Sequence, residues 1–272
     1  MSSDPSLKHL SETQLAQYRD DGVVSPLTIL SGEEASLHRA QLEAAEAAHR
    51  PLHYLVKPYL IFGPANDLAR HPVLLDAVED LLGPDILLWD SAYVIKEPGA
   101  SGHVSWHQDL TYWGLDSDQM VTAWIAITPS RPESGCMRYL PGSHLQGRRP
   151  HLDTHAEDNL LHRGQDASAG VDEQAVRDIP LRPGQASLHH GWVLHASGPN
   201  SSKERRIGLT VQYLTPAVRQ TLTDRETATL VRGRDPYRHF QPEPAYTRDF
   251  APGALAFQAE AERLKKWVYD RA

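Results

Sequence analysis

The tetrapeptide Trp106-His107-Gln108-Asp109 sets an imidazole and a carboxylate two residues apart. In an extended strand, residues i and i+2 share a face, so both side chains can reach one ion. Alone, His-x-Asp carries little weight in a chain with 15 histidines. A second stretch, Pro183 to Asn200, offers His189, His190 and His195 as competing third ligands. Any of them with His107 and Asp109 makes a two-histidine, one-carboxylate facial set. Such a set leaves three metal positions open and suits non-haem Fe(II) chemistry with O2. Arg205 and Arg206 then precede the apolar run Ile207–Tyr213. A guanidinium inside a barrel mouth is costly unless it meets an anion, and its planar fork pairs bidentately with a carboxylate. A dicarboxylate co-substrate would give one carboxylate to the metal and the other to this arginine.

Composition narrows the surroundings. In 272 residues, 27 Lys+Arg stand against 35 Asp+Glu, a formal charge of −8. That balance argues against nucleic acid as a partner, since its binders concentrate basic residues. The single cysteine, Cys136, excludes an intramolecular disulfide framework and sulfur-rich metal sites, and reads as a small buried hydrophobe. The opening Met1-Ser2-Ser3-Asp4-Pro5 lacks the basic-then-apolar order of a secretory leader. No apolar run approaches the roughly 18–20 residues of a membrane span. The expectation is a cytoplasmic protein with a small-molecule substrate, no nucleic acid, no membrane, acting as monomer or homodimer.

The elements that must position these residues follow from pattern. The N-terminal third reads as helical: Ser11-Glu12-Thr13-Gln14 and Ser31-Gly32-Glu33-Glu34 have capping-box form, and Pro72 opens a third helix that Gly83 ends. Short β-rich runs then alternate with Gly and Pro: Ile86–Ile95, Met120–Thr128, Cys136–Leu140, Ala186–His190 and Ile207–Leu214. Such spacing predicts an all-β barrel or jelly roll. The polar stretches 142–177 and 223–250 read as loops able to act as lids, and a helix over about 254–271 packs on the barrel. The simplest organisation is a single domain, 1–272, mainly β with flanking helices and a core over about 86–215.

The ordered set of motifs resembles the phytanoyl-CoA dioxygenase family of Fe(II)/2-oxoglutarate-dependent oxygenases. The stretches are Lys96-Glu97-Pro98-Gly99, Trp106-His107-Gln108-Asp109 with Tyr112-Trp113, Thr122 to Ile127, Gly135-Cys136, Leu140-Pro141-Gly142-Ser143-His144, and His195-Ala196-Ser197-Gly198-Pro199-Asn200 through Arg206. They cover about residues 90–215 in the family's order.

The resemblance implies a double-stranded β-helix (jelly roll, cupin-like) core, and Fe(II), 2-oxoglutarate and O2 as cofactor and co-substrates. It implies His107, Asp109 and His195 as metal ligands, which favours His195 over His189 and His190. It implies Arg206, 11 residues after His195, as the clamp for the far carboxylate of 2-oxoglutarate, with Ser197, Trp124 and Lys96 beside it. Tyr93, His103, Trp106 and Trp113 are expected near the substrate. Halogenating relatives replace the metal carboxylate with Gly or Ala. Asp109 is retained, so the expected outcome is hydroxylation of an unactivated C–H bond, with succinate and CO2 released. The rivals are desaturation, cyclisation or another oxidative outcome with the same cofactors, a cupin-like metal enzyme that does not use 2-oxoglutarate, and a non-catalytic cupin-like binding or sensor module.

Overall fold

The computed structural model describes residues 7–272, and the Met1–Pro5 stretch read for a leader lies outside them. Helix α1 (Glu12–Asp21) starts where its capping box requires. Ser11 Oγ accepts from the Gln14 N–H at 3.2 Å, and Gln14 Oε1 accepts from the Ser11 N–H at 2.9 Å. Ser31 and Glu34 open α2 (Gly32–Ala48) in the same reciprocal way. The N-terminal third is not wholly helical, however. Val23–Thr28 form strand β1 at the edge of the main sheet, with Val23, Val24 and Leu27 buried. Pairing with a distant strand, which no local pattern reports, sets that conformation. A short α3 (Gly63–Ala69), which the pattern did not signal, precedes α4 (Pro72–Leu82), which begins at Pro72 and stops at Gly83 as expected.

The remaining strands are β2 (Ile86–Lys96), β3 (Val104–His107), β4 (Met120–Ala126), β5 (Met137–Tyr139), β6 (Leu152–Asp153) and β7 (Gln165–Asp166). After them come β8 (Arg177–Ile179), β9 (Gln185–His190), β10 (His195–Ser197), β11 (Arg206–Leu214), β12 (Thr227–Arg232) and β13 (Gln241–Pro242), then helix α5 (Pro252–Tyr269). A seven-stranded sheet runs β1-β9-β4-β11-β2-β12-β13, and a four-stranded sheet runs β3-β10-β5-β8. All pairs are antiparallel except the short β12–β13 contact. A cavity of about 650 Å³ is lined from both sheets. This is the mainly β, double-stranded β-helix class with flanking helices. The 223–250 segment is therefore not all loop, because β12 extends the main sheet against β2. No helix among the described residues is long and apolar enough to cross a membrane.

Strand alternation decides which side chains meet the cavity. Along β2, Asp90, Ala92 and Val94 point inward, while Tyr93 and Ile95 join the core shared with the N-terminal helices. On β4, Thr122 and Trp124 face in; on β11, Arg206, Thr210 and Gln212 do. Their neighbours Val121, Ala123, Ile125, Leu209 and Val211 face out into that same core. Both faces of the central strands are thus covered, which is why they read as near-continuous apolar runs.

Tyr93 is consequently no substrate contact. It is fully buried on the outer face, where its hydroxyl and His38 Nε2 share a 2.7 Å hydrogen bond. Burial pushes His38 down to about 4. An unfolded histidine titrates near 6.5, so the unfolded chain binds the extra proton first. The stability of this site is full above pH 6.5 and is lost as pH falls toward 4. Between pH 7.5 and pH 5 the loss at this residue should be about 2 kcal/mol. Urea unfolding of His38→Gln at the two pH values should show a pH dependence weaker than wild type by about that amount; equal slopes would place the acid sensitivity elsewhere.

Candidate active site

Register brings the two distant histidines together. β10 pairs β3 with His195 opposite His107, and their rings lie 4.0 Å apart. Asp109 follows in a single 3-10 turn, Asp109–Thr111, that bends its carboxylate back toward both. Asp109 Oδ1 lies 3.5 Å from His107 Nε2 and 3.7 Å from His195 Nε2. All three ligand atoms fall within 4.8 Å of one another, and all three residues are buried. Donors about 2.1 Å from one ion in adjacent octahedral positions are about 3 Å apart, so each carboxylate–imidazole spacing must shorten by less than about 1 Å for the pair to share a metal.

The imidazoles are held in the tautomer a metal needs. His107 Nδ1 donates to the Ser105 carbonyl at 2.9 Å, and His195 Nδ1 donates to the Val193 carbonyl at 3.1 Å. A carbonyl only accepts, so both protons sit on Nδ1 and both Nε2 lone pairs face the shared point. Burial, then the neighbouring His107, holds His195 well below the usual histidine range, keeping it neutral. Burial alone would raise the Asp109 carboxyl, but His195, His107 and His189 around it overcome that and hold it well below the usual range.

Two positioning residues escaped the sequence reading. Thr122 Oγ1 donates to Asp109 Oδ2 at 2.9 Å, and His189 Nε2 donates to the same oxygen at 3.3 Å. His189 Nδ1 then accepts from the Tyr139 hydroxyl at 3.0 Å, which in turn accepts from Ser187 at 3.1 Å. The His189 that competed for a ligand role therefore orients the carboxylate instead. Its signal was parity: His189 lies on β9 opposite Thr122 of β4, a pairing invisible without the sheet.

Beside this cluster lies Arg206, fully buried. Its Nη1 donates to the Gly135 carbonyl, while Nε and Nη2 have no partner among the described residues. The guanidinium sits 5.1 Å from the Trp124 ring centroid, and Trp124 Nε1 is likewise unpartnered. Burial pulls Arg206 down only to about 10, so it stays charged. A buried cation with idle donors calls for an anion, and a carboxylate satisfies this fork. Arg205 points elsewhere, pairing with Glu46 at 2.8 Å and Glu97 at 2.7 Å.

Ser197 and Trp124 line the same cavity. Lys96 does not; its Nζ donates to Ser197 Oγ at 2.7 Å and lies against the Ser197 and Gly198 carbonyls, so it acts through Ser197. Burial, then Arg206, pushes Lys96 down to about 6. Trp113 lines the cavity as expected. His103 and Trp106 do not: His103 meets Asp158 at 3.6 Å, and Trp106 packs with Leu140 and Leu194 under Arg138. Trp106 neighbours His107 on β3 and so faces the opposite side. Tyr54, unremarked in sequence, joins the wall in a left-handed conformation at φ 53°. Of the two lid candidates, 142–177 contributes Leu160, Leu161, His162 and Gln165.

Gly208 makes room for the indole, because a Cβ there would stand 2.2 Å from Trp124 Cζ2. Gly208→Ala should therefore cost about 1–3 kcal/mol in stability and weaken binding of any carboxylate at Arg206 by displacing Trp124. Thermal unfolding with and without that ligand checks both; an unchanged ligand-induced shift would separate Trp124 from the site.

Comparison with known proteins gives the chain its relatives. The solved structure titled "non-heme monooxygenase; ThoJ apo" superposes with a TM-score of 0.83 at 34% identity, over 94% of this chain and 97% of that one. The "non-heme alpha ketoglutarate dependent carbocyclase SnoK from nogalamycin biosynthesis" gives 0.66 at 26% identity, over 80% and 89%. The "1-deoxypentalenic acid 11-beta-hydroxylase" of Streptomyces exfoliatus is 33% identical over 50% of this chain and 51% of its own length. The chain spans about half the length of the curated relatives it matches. Residues 31–208 match the description "Phytanoyl-CoA dioxygenase (PhyH)", well over half of the sequence, and the chain belongs to the phytanoyl-CoA dioxygenase family.

Proposed function

We propose that the protein is an Fe(II)- and 2-oxoglutarate-dependent oxygenase that hydroxylates a C–H bond of a small molecule. The observation that carries this is the pairing of a His107–Asp109–His195 cluster with a fully buried Arg206 whose idle donors need a carboxylate. Fe(II) bound by these three side chains would supply O2 activation, coupled to conversion of 2-oxoglutarate into succinate and CO2. The chain's own residues do the rest. Two backbone carbonyls fix the imidazole tautomers, and Thr122 and His189 aim the carboxylate. Arg206 and Trp124 hold the far carboxylate of the keto acid, and Lys96 steadies Ser197 beside it. The two sheets shield the reaction from water. No protein acid or base is required for oxygen transfer to carbon, and none is assigned.

We further propose that the chain works as a single domain, as monomer or homodimer, in the cytoplasm and without nucleic acid. The charge of −8 and the lone cysteine support the last two points. The test is a succinate-release screen over metabolite pools with Fe(II), ascorbate and 2-oxoglutarate. Substrate-dependent succinate and a product heavier by one oxygen support hydroxylation. A product two hydrogens lighter would assign desaturation or cyclisation, and no succinate from any pool would favour a binding module.

A further inference from the structure

Away from the His107–Asp109–His195 cluster, the outer wall of the cavity is α5. The helix turns Ala259, Glu262, Lys265, Lys266 and Tyr269 toward it. It is fastened along its length. Gln258 donates to the Val56 carbonyl at 2.9 Å, the Trp113 indole donates to the Tyr269 hydroxyl at 3.1 Å, and His162 meets Asp270 at 2.7 Å.

Lys265 reaches into the cavity. Its ammonium contacts Asp90 Oδ2, which is its one oxygen partner among the described residues, and lies 5.3 Å from the Tyr269 ring and 5.9 Å from the Trp89 ring. Asp90 pairs in register with Gln212, and Gln212 with Thr122. One row of inward side chains thus runs from Lys265 through Asp90 and Gln212 to Thr122, the residue that holds the Asp109 carboxylate. Gln212 is only 7% exposed, yet its Oε1 has no partner among the described residues. A half-turn of its amide presents either a donor or an acceptor to the cavity.

Of the other cations near the cavity, Lys266 is exposed on the helix surface. Arg263 pairs with Glu260 at 2.7 Å in solvent, and Arg232 of the 223–250 segment is tied to Asp76 and Glu79. Apart from the row from Lys265 to Thr122, much of the cavity wall is apolar, including Val56, Ala92, Val94, Trp113 and Leu161. A cavity of about 650 Å³ lies within the range that takes a drug-sized molecule, about 300–1,000 Å³.

We propose that Lys265 and Gln212 are the substrate-recognition groups of this cavity, and that the substrate is a largely apolar molecule carrying a carboxylate. Its carboxylate accepts from the Lys265 ammonium and the Gln212 amide, and its apolar body extends toward the His107–Asp109–His195 cluster. Asp90 orients the ammonium and balances its charge while the cavity is empty. The orientation of the body rests on the oxygenase reading; the carboxylate contact does not.

The test uses the full chain without metal, with abietate, an apolar tricyclic carboxylate, and abietinol, the matching alcohol, as probes. Quenching of tryptophan fluorescence reports binding beside Trp89 and Trp113. Wild type should bind abietate at least tenfold more tightly than abietinol. Lys265→Gln should erase that preference by weakening abietate alone, Lys265→Arg should restore most of it, and Gln212→Leu should reduce it. Equal affinity of wild type for acid and alcohol, no binding of either up to their solubility, or a preference that survives Lys265→Gln would overturn the proposal. The wild-type comparison stands even if a variant fails to fold. A parallel thermal-shift titration with Fe(II) and 2-oxoglutarate reads the inner end separately, so failure there would sink the oxygenase reading and leave the probe result intact.

Discussion

Asp109→Ala is expected to lower Fe(II) affinity by at least about 100-fold and to abolish succinate formation. The variant removes the only anionic ligand and leaves two neutral imidazoles, whose Nε2 atoms alone hold a divalent ion weakly. It also strands Thr122 and His189, which both donate to Asp109 Oδ2. Thr122→Val serves as the graded companion. It keeps all three ligands and frees one carboxylate lone pair, so its loss should be about 10-fold, within the range for residues that orient a ligand. Anaerobic Fe(II) titration ranks the variants. If Asp109→Ala retained wild-type affinity, the cluster would not be the metal site.

Arg206→Met should make the ligand-free protein more stable while removing its response to 2-oxoglutarate. The guanidinium is fully buried, with Gly135 as its sole hydrogen-bond acceptor and no carboxylate partner among the described residues, so without a bound anion it bears an uncompensated desolvation penalty. Replacing such a buried ion with an apolar side chain of similar volume is neutral or stabilising by about 1–4 kcal/mol. Loss of the Trp124 contact offsets part of that gain. The two bonds to a carboxylate are worth about 1.5–3 kcal/mol each when charge-assisted. The apparent 2-oxoglutarate affinity should therefore fall by roughly two to four decades, with Fe(II) still bound. Melting curves with and without 2-oxoglutarate give both numbers. A destabilised variant that keeps its 2-oxoglutarate shift would assign Arg206 a structural role and move the clamp elsewhere.

The residues legible from sequence were those whose chemistry is written into local spacing. His107 and Asp109 share one short segment, Ser11 and Ser31 carry their own caps, and Pro72 and Gly83 bracket α4. An arginine at Arg205 or Arg206 was legible because its charge conflicts with the apolar strand it opens, and the family resemblance chose Arg206. What escaped depends on which strands become neighbours. β1 is a strand because β9 pairs with it, and β12 because β2 does. The same holds for side chains. Tyr93, His103 and Trp106 sit close in sequence to cavity residues, yet Tyr93 and Trp106 fall on the outer faces of their strands and His103 meets Asp158, so proximity along the chain misled. His189 and Thr122 reach Asp109 only through the β4–β9 register, and Lys265 enters through a helix more than 50 residues past Arg206. Single-strand alternation is readable; the choice of which face points inward is a tertiary decision.

The most direct test of the account is an anaerobic absorption titration of 2-oxoglutarate into the Fe(II)-loaded protein. Chelation of Fe(II) by the keto acid at the His107–Asp109–His195 cluster predicts a visible charge-transfer band that saturates at one equivalent, disappears in His107→Ala, and in Arg206→Met requires far more 2-oxoglutarate. A band of undiminished intensity and affinity in His107→Ala, or no band in the wild-type protein, would contradict it.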